Sequence, residues 1–297
     1  MRKGEYIGVA KKEDKQAIAQ IWREVFTSER LYLSIIFNDL YPHLTPFVYK
    51  IGDKVFSIAF AIPLSIGELK GEYIYGVATK REARGGGLAS SLINHMESHF
   101  KNRGENFLLL RPAEEPLFEY YLKLGFTLPL KRSEISIKIE KEGLSPLKKR
   151  RRFSQLTPLL LQRRREAMAL PIYLWPKGVY KSIINLALLD NGCTYNFRYK
   201  DSSEYLIARA DYTSAECVVI EEASPLLKDK NALLDKELVS LLCKAALSIN
   251  EEAKRISLYA PAINGEDSAG FALAKPLTAS PRILERIKGG FFNFTME

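Results

Sequence analysis

EYIYGVATKREARGGGLASSLINHM, residues 72–96, reads as a strand, a glycine turn and a helix. Tyr73, Ile74, Tyr75 and Val77 are strand formers. Arg84-Gly85-Gly86-Gly87 is a turn, and Leu88, Leu92, Met96 and Phe100, joined by Ala89 and Ile93, put an apolar arc on a helix of about 15 residues. Three glycines ahead of a helix leave its first N–H groups without a covering Cβ, and the helix dipole adds partial positive charge there. That combination is an anion cradle. The glycines alone fit a tight turn without a ligand equally well.

The spelling around them is more specific. Arg84-x-x-Gly87-x-Ala89 follows a strand ending in Gly76-Val77-Ala78-Thr79. This resembles the Arg/Gln-x-x-Gly-x-Gly/Ala pyrophosphate-binding signature of the GNAT superfamily of N-acetyltransferases. It is not a Walker loop, because no Gly-Lys-Ser/Thr follows. The dinucleotide fingerprint fails as well, since Ser90 stands where its third glycine is required.

The flanking chain supports the resemblance. Tyr6–Lys11 reads as a strand, and Asp14 as the cap of a helix carrying Ile18, Ile21, Trp22 and Phe26 on one face. A second helix is expected over Ser28–Leu40, then an antiparallel meander over Pro46–Ile51, Val55–Ile66 and Tyr73–Thr79. Beyond the signature helix come the apolar strand Phe107–Leu110, the helix Pro116–Leu124 ended by Gly125, and the strands Phe126–Leu130 and Glu134–Ile139, expected to close the unit. This is the GNAT order of elements over about residues 5–140, and Tyr121-Leu122-Lys123-Leu124-Gly125-Phe126 resembles the family's Tyr-x-Lys-x-Gly-Phe ending.

A chain of 297 residues with 46% hydrophobic residues has room for about two domains. No run of 18 apolar residues occurs, and Met1-Arg2-Lys3-Gly4-Glu5 lacks a signal-peptide core, so a cytoplasmic protein without a membrane partner is expected. Cys193, Cys217 and Cys243 are odd in number and widely spaced, as reduced packing residues are. The net charge of +9 is concentrated partly in Lys148–Arg152 and Arg163–Arg165. No zinc-finger spacing or RNP aromatic motif accompanies it, which argues against a nucleic-acid partner and for a solvated linker and helix face.

Residues 141–152 read as a basic linker between a domain at 1–140 and a second at 153–297. Helices are expected at Leu156–Leu170, Lys177–Leu189 and Leu233–Ile249, and strands at Cys193–Tyr199, Tyr205–Ala210, Cys217–Glu222, Arg255–Tyr259 and from Gly270. Gly125 and Gly270 are 145 residues apart, as are Leu88 and Leu233, a weak internal repeat. Ahead of the second long helix stands Lys228-Asp229-Lys230-Asn231-Ala232, with no glycine and an acid where an anion would sit. The expected fold class is therefore α/β of the α+β kind: two GNAT-like lobes, each a mixed, mostly antiparallel sheet flanked by helices, the second degenerate. That arrangement resembles the enhanced-intracellular-survival acetyltransferases without a third domain.

The resemblance implies roles. Val77, Ala78 and Thr79 would lie along the pantetheine arm of acetyl-CoA, and Arg84 with the turn Gly85, Gly86, Gly87, Leu88 and Ala89 would hold the pyrophosphate. Tyr121 would protonate the departing thiolate, a task suited to a phenol of reference pKa about 10. Glu72 is either the general base for the amine or a solvated carboxylate at a hairpin end; its distance to Arg84 is one residue shorter than the family pattern. Glu114 and Glu115 are alternative acids, or bias the first turn of the next helix. His95 and His99 are spelled His-Met-Glu-Ser-His, not His-Glu-x-x-His, and flank the apolar arc, so no metal is assigned. His43 is isolated and carries no assignment. The implied activity is acetyl transfer from acetyl-CoA to an amine of a small molecule or protein, with the second lobe shaping the acceptor site or a homo-oligomer. The competing class is a non-catalytic coenzyme A-binding or regulatory protein, sensing the cofactor or acting on nucleic acid through the basic linker.

Overall fold

A computed structural model describes residues 4–27, 29–144, 153–169, 171–189, 192–261, 268–278 and 280–292. The basic run Lys148–Arg152 lies outside them. In chain order the elements are β1 (Glu5–Val9), α1 (Lys15–Val25), α2 (Arg30–Ser34), β2 (Thr45–Ile51), β3 (Lys54–Ile66), β4 (Leu69–Thr79), α3 (Leu88–Asn102), β5 (Phe107–Leu110), α4 (Glu115–Lys123) and β6 (Leu128–Lys138). They continue with β7 (Phe153–Gln155), α5 (Pro158–Glu166), α6 (Val179–Leu189), β8 (Cys193–Tyr199), β9 (Ser202–Ala210), β10 (Cys217–Ala223), α7 (Ser224–Lys228), α8 (Lys236–Ile249), β11 (Arg255–Pro261), β12 (Ser268–Pro276) and α9 (Pro281–Lys288). No described helix is long and apolar enough to cross a membrane.

The chain forms two compact units. The first comprises Met1–Leu130, Tyr173–Val179 and Phe271–Gly290, the second Lys131–Ile172, Tyr180–Gly270 and Phe291–Glu297. In the first, β1 to β4 form the expected antiparallel meander, β5 runs parallel to β4, and β12 lies antiparallel to β5. In the second, β7, β8, β9 and β10 are antiparallel, β11 runs parallel to β10, and β6 lies antiparallel to β11. Both sheets are mixed and mostly antiparallel.

Two strands depart from the sequence reading. Glu134–Ile139 does not close the first sheet: one strand, β6, runs through, and Arg132–Lys138 pairs with Pro261–Arg255 in the second unit. The edge of β5 is filled instead by Leu273–Pro276 from near the end of the chain. Alternation of apolar residues fixes a strand's face but not its neighbour. The expected helix Ser28–Leu40 is also divided, into α2 and a wide π-helical turn at Ile35–Leu40.

Parity along the strands sorts the first core into two layers. Ala59, Ala61 and Ile74 join Leu92, Ile93 and Met96 of α3, while Phe60 and Tyr75, each one residue out of phase, meet Trp22 of α1 on the other face. Trp22 stacks on Phe60 with centroids 5.2 Å apart and planes 8° from parallel. The second core is built by α8 against β8 to β11, with Leu238, Leu242, Ala245 and Ala246 fully buried. All three cysteines are buried free thiols, Cys193 and Cys243 within this core; burial pushes Cys193 up to about 12, out of the nucleophilic range.

Candidate active site

The cofactor-signature residues converge where β4 leaves the sheet. β4 pairs with β5 only at Gly71, Glu72 and Tyr73, opposite Phe107, Leu108 and Leu109. From Ile74 to Thr79 it stays bonded to β3 on one side, while on the other its pairing with β5 has stopped at Tyr73. An exposed strand edge of this kind accepts an extended ligand as it would another strand.

Within that stretch the register against β3 slips: Tyr75 faces Phe60 and Ala78 faces Ile58, so Gly76 and Val77 both oppose Ala59. This bulge needs its glycine. Gly76 has φ of +61°, and a Cβ there would sit 2.2 Å from Trp22 Cζ3. The bulge turns the strand's end, and Ser57 pins it by donating to Ala78 O at 3.0 Å and lying 2.9 Å from Thr79 Oγ1.

The cradle follows. Arg84 is exposed, its Nε 3.2 Å from Thr79 O, so the guanidinium is anchored to the strand it follows. Gly85 and Gly87 have φ of +78° and +75°, and nothing lies within 4 Å of a Cβ built on either. Gly87 is the N-cap of α3 and brings no capping side chain; Ser91 N–H to Gly87 O is the first bond of the helix, leaving the amides of Leu88, Ala89 and Ser90 ahead of it. These residues fit a diphosphate, with open space where side chains would block it.

Tyr121 lies on α4, 8% exposed, in the core cluster that also holds Ile74, Leu92 and Ile93, its ring edge-on to Phe126 at 5.9 Å between centroids. Gly125, at φ of +86°, closes α4 with Phe126 N–H bonded to Tyr121 O. Lys275 of β12 locks that end, donating to Leu124 O at 2.7 Å and pairing with Glu97 of α3. Sequence reading missed Lys275, because nothing local says that β12 crosses to this unit. Tyr120, the neighbouring phenol, lies 3.0 Å from Ser90 Oγ in the first turn of α3.

Glu72 departs most from a hairpin-end carboxylate. It is the fourth residue of β4, 4% exposed, and its Oε2 has no hydrogen-bond partner. Burial, with Glu105 adding like charge and Arg103 partly offsetting it, raises its pKa to about 8. It stands seven residues back from Thr79, about 23 Å along an extended strand, so it is not part of the cradle. Glu114 and Glu115 are exposed at the start of α4. His95 and His99 pack edge-on against Phe47, 6.4 and 5.2 Å between centroids.

A strand bulge, a gap between parallel strands and a glycine turn ahead of a long helix define an acetyltransferase fold. The match to known proteins agrees: residues 7–128 match the acetyltransferase (GNAT) domain, and the chain carries a GNAT acetyltransferase domain there. The structure resembles a probable N-acyltransferase from Enterococcus faecalis V583, with a TM-score of 0.69 at 14% identity over 92% of this chain and 73% of that one. It also resembles a GCN5-related N-acetyltransferase from Anabaena variabilis (TM-score 0.60, 14% identity, 92% and 73% covered) and Eis1 from Mycobacterium abscessus (0.59, 12%, 92% and 73%). At these identities the likeness establishes the fold alone, and it extends over both units. No curated protein matches the chain.

Proposed function

We propose that this protein is an acetyl-CoA-dependent N-acetyltransferase whose first lobe is catalytic and whose second is not. The observation that carries the reading is the continuous path from the free edge of Ile74–Thr79 to the uncapped start of α3. A pantetheine arm extends along the strand edge with Val77, Ala78 and Thr79 beside it, and a pyrophosphate meets Arg84 and the amides from Gly85 to Ala89. The donor's thioester then lies near the bulge, where a backbone N–H polarises the carbonyl.

The amine lone pair attacks the carbonyl carbon, and the tetrahedral intermediate expels the thiolate. Glu72 takes the proton from the amine, directly or through water, and Tyr121 gives one to sulfur. A carboxyl raised to about 8 is mostly protonated at neutral pH, so Glu72 serves as the base in its ionised minority and increasingly as pH rises toward 8, while a phenol is a competent acid. The test is incubation with acetyl-CoA and a panel of amines, following free thiol, beside calorimetric titration with coenzyme A. One coenzyme A per chain and amine-dependent thiol release are expected. A chain that binds no coenzyme A overturns the donor site, and one that binds it but acetylates no amine is the non-catalytic binding protein.

A further inference from the structure

Lys275 stands where the strand pattern calls for an apolar residue. The ladder between β12 and β5 continues past Pro276 to Leu277, whose N–H bonds to Asn106 O, so Leu273, Lys275 and Leu277 alternate onto one face. Both leucines belong to the core cluster that holds Met96 of α3 and Tyr121 of α4, and the lysine side chain between them is only 15% exposed. A leucine there would bury apolar surface, whereas an ammonium gives up hydration and must recover it from fixed partners. A sequence breaks its own pattern in this way chiefly where a site requires it.

The partners are the end of α4 and the side of α3. The ammonium donates to Leu124 O, the C-cap carbonyl of α4, at 2.7 Å, pairs with Glu97 of α3, and lies over the Phe126 ring, 6.0 Å from its centroid. A cation at that carbonyl also suits the helix dipole. Leu124 N–H and Phe126 N–H both bond to Tyr121 O, at 3.0 and 3.1 Å, so the turn that Lys275 holds is the one that fixes the Tyr121 backbone. Phe126 meets the Tyr121 ring edge-on. Gly125 admits the lysine: besides its φ of +86°, a Cβ there would sit 3.0 Å from Lys275 Cε. Glu97, at the other end of the tie, is on the helix whose uncapped start is the cradle. One ammonium therefore joins the helix that would hold the donor to the helix that carries the proposed acid.

We infer that Lys275 is a positioning residue for protonation of the departing thiolate: by clamping the end of α4 to α3 it holds the Tyr121 hydroxyl at the sulfur. The inference rests on the assignment of Tyr121 above. As the C–S bond breaks with its electron pair on sulfur, the hydroxyl proton passes to sulfur and the phenolate recovers a proton from water; Lys275 gives up none. The test is a double-variant cycle in the full chain, Lys275→Met and Tyr121→Phe singly and together, with acetyl-CoA and n-butylamine, spermidine or free lysine as acceptor. Thiol release is read in single turnover, beside coenzyme A titration and thermal melting. Lys275→Met should slow release by about 10–100-fold, the cost of misplacing a reacting group by about 1 Å. Coenzyme A affinity and melting temperature should change little, because Glu97 is partly exposed and hydrates once unpaired. In the Tyr121→Phe background the same change should cost nothing more, since its whole effect runs through the missing hydroxyl. If Lys275→Met does not fold, Glu97→Ala cuts the tie at α3 and takes its place in the cycle, with a several-fold loss expected. A folded variant at the wild-type rate, a loss that falls on coenzyme A affinity, or losses that multiply in the double variant overturn the inference and leave the donor site standing. Tyr121→Phe at the wild-type rate, or coenzyme A binding without acetylation of any of the three amines, overturns the proposed chemistry and this role with it.

Discussion

The two units run the same route, a strand with a bulge, a parallel neighbour and a long helix, and finish it in opposite ways. In the first, β4 reaches Thr79, passes an exposed glycine turn and enters α3 at a helix end that no side chain caps. In the second, β10 bulges at Glu221, between the pairs Ile220–Ala208 and Glu222–Ile207, and passes straight into α7. There Ser224, Pro225, Leu226 and Leu227 are all buried. Asp229 then accepts from Asn231 N–H and Asp235 from Glu237 N–H, so the helix start is occupied by the chain's own carboxylates. Buried carboxyls differ in the same sense. Glu72 is unpaired at Oε2, whereas Glu222 holds Arg165 and the Tyr205 hydroxyl, and Glu204 holds Ser224 and Lys228. At these positions the first unit leaves a helix end and a buried carboxyl oxygen without a partner, and the second has satisfied its helix start and the carboxyls of Glu204 and Glu222 internally.

The largest break in this contrast is expected at Tyr121. Tyr121→Phe keeps the ring in the core cluster with Ile74, Leu92 and Phe126 and removes the proposed acid, so kcat should fall by about 10²–10⁴-fold with coenzyme A affinity and melting temperature nearly unchanged. Tyr120→Phe gives up only the contact with Ser90 and should cost less than about tenfold. A Tyr121→Phe enzyme at the wild-type rate, with chemistry shown to be the slow step, assigns the proton to water.

Glu72 sharpens the contrast through pH. Its pKa in the fold is raised from 4.5 to about 8, so between those values the folded state holds a proton that the unfolded state has released. The stability that Glu72 contributes is therefore fully present below about pH 4.5 and is lost as pH rises toward 8. At about 1.4 kcal/mol per pH unit the loss is on the order of 5 kcal/mol across that window. Glu72→Gln should remove this slope and be the more stable protein at pH 9, in urea unfolding followed at several pH values. Parallel slopes for wild type and variant would place the titration elsewhere.

The second unit makes the converse prediction. Arg165 is 3% exposed and paired with Glu222, which is 1% exposed; the ion pair and the Tyr205 hydroxyl hold the guanidinium well above its usual pKa against the opposing effect of burial. Arg165→Met strands a buried carboxylate and should cost about 3–5 kcal/mol, while Arg165→Met with Glu222→Gln recovers part of it. No loss in the single variant would show that water enters and replaces the guanidinium.

Much of the cradle was legible because its chemistry is local. Gly85, Gly86 and Gly87 announce open backbone, and the Tyr121-to-Phe126 ending carries its own cap, with Gly125 at positive φ. What the sequence hid depends on pairing between distant segments. The exchange of β6 and β12 is invisible because both read as ordinary strands whose partners lie over 100 residues away. Glu72 looked solvated because the closing segment, Leu174–Pro176, comes from about 100 residues further along the chain. Asp235 escaped notice because the expected helix started at Leu233; a 3₁₀ turn at Lys230–Leu234 delays it to Lys236 and makes Asp235 its cap.

Gly87→Glu tests the open helix end directly. It places a carboxylate at the start of α3 and imposes a side chain on φ of +75°. Coenzyme A affinity should fall by about 100-fold or more, since like charge and lost access act together on the same phosphate, about 3 kcal/mol. The space around the Cβ is empty, so the cost to folding should be only about 1–2 kcal/mol. Unchanged affinity in a calorimetric titration removes the cradle from the reading.

The smallest effect is expected at the corresponding place in the second unit. Asp235 caps α8, accepts from Glu237 N–H at 2.8 Å and also takes the Tyr199 hydroxyl at 2.7 Å. Asp235→Ala removes the cap and should cost about 1 kcal/mol, the usual worth of an N-cap side chain. If an open helix end were all that a diphosphate needs, this variant would gain a second coenzyme A site. It should not, because α7 buries Ser224–Leu227 where the first unit leaves its turn exposed, and β10 stays paired with β11 up to Ile220, the residue before its bulge. One coenzyme A per chain in both wild type and Asp235→Ala is therefore the expected stoichiometry. Two in the variant would mean that the acidic cap alone, and not the filled strand end, separates a binding lobe from a silent one.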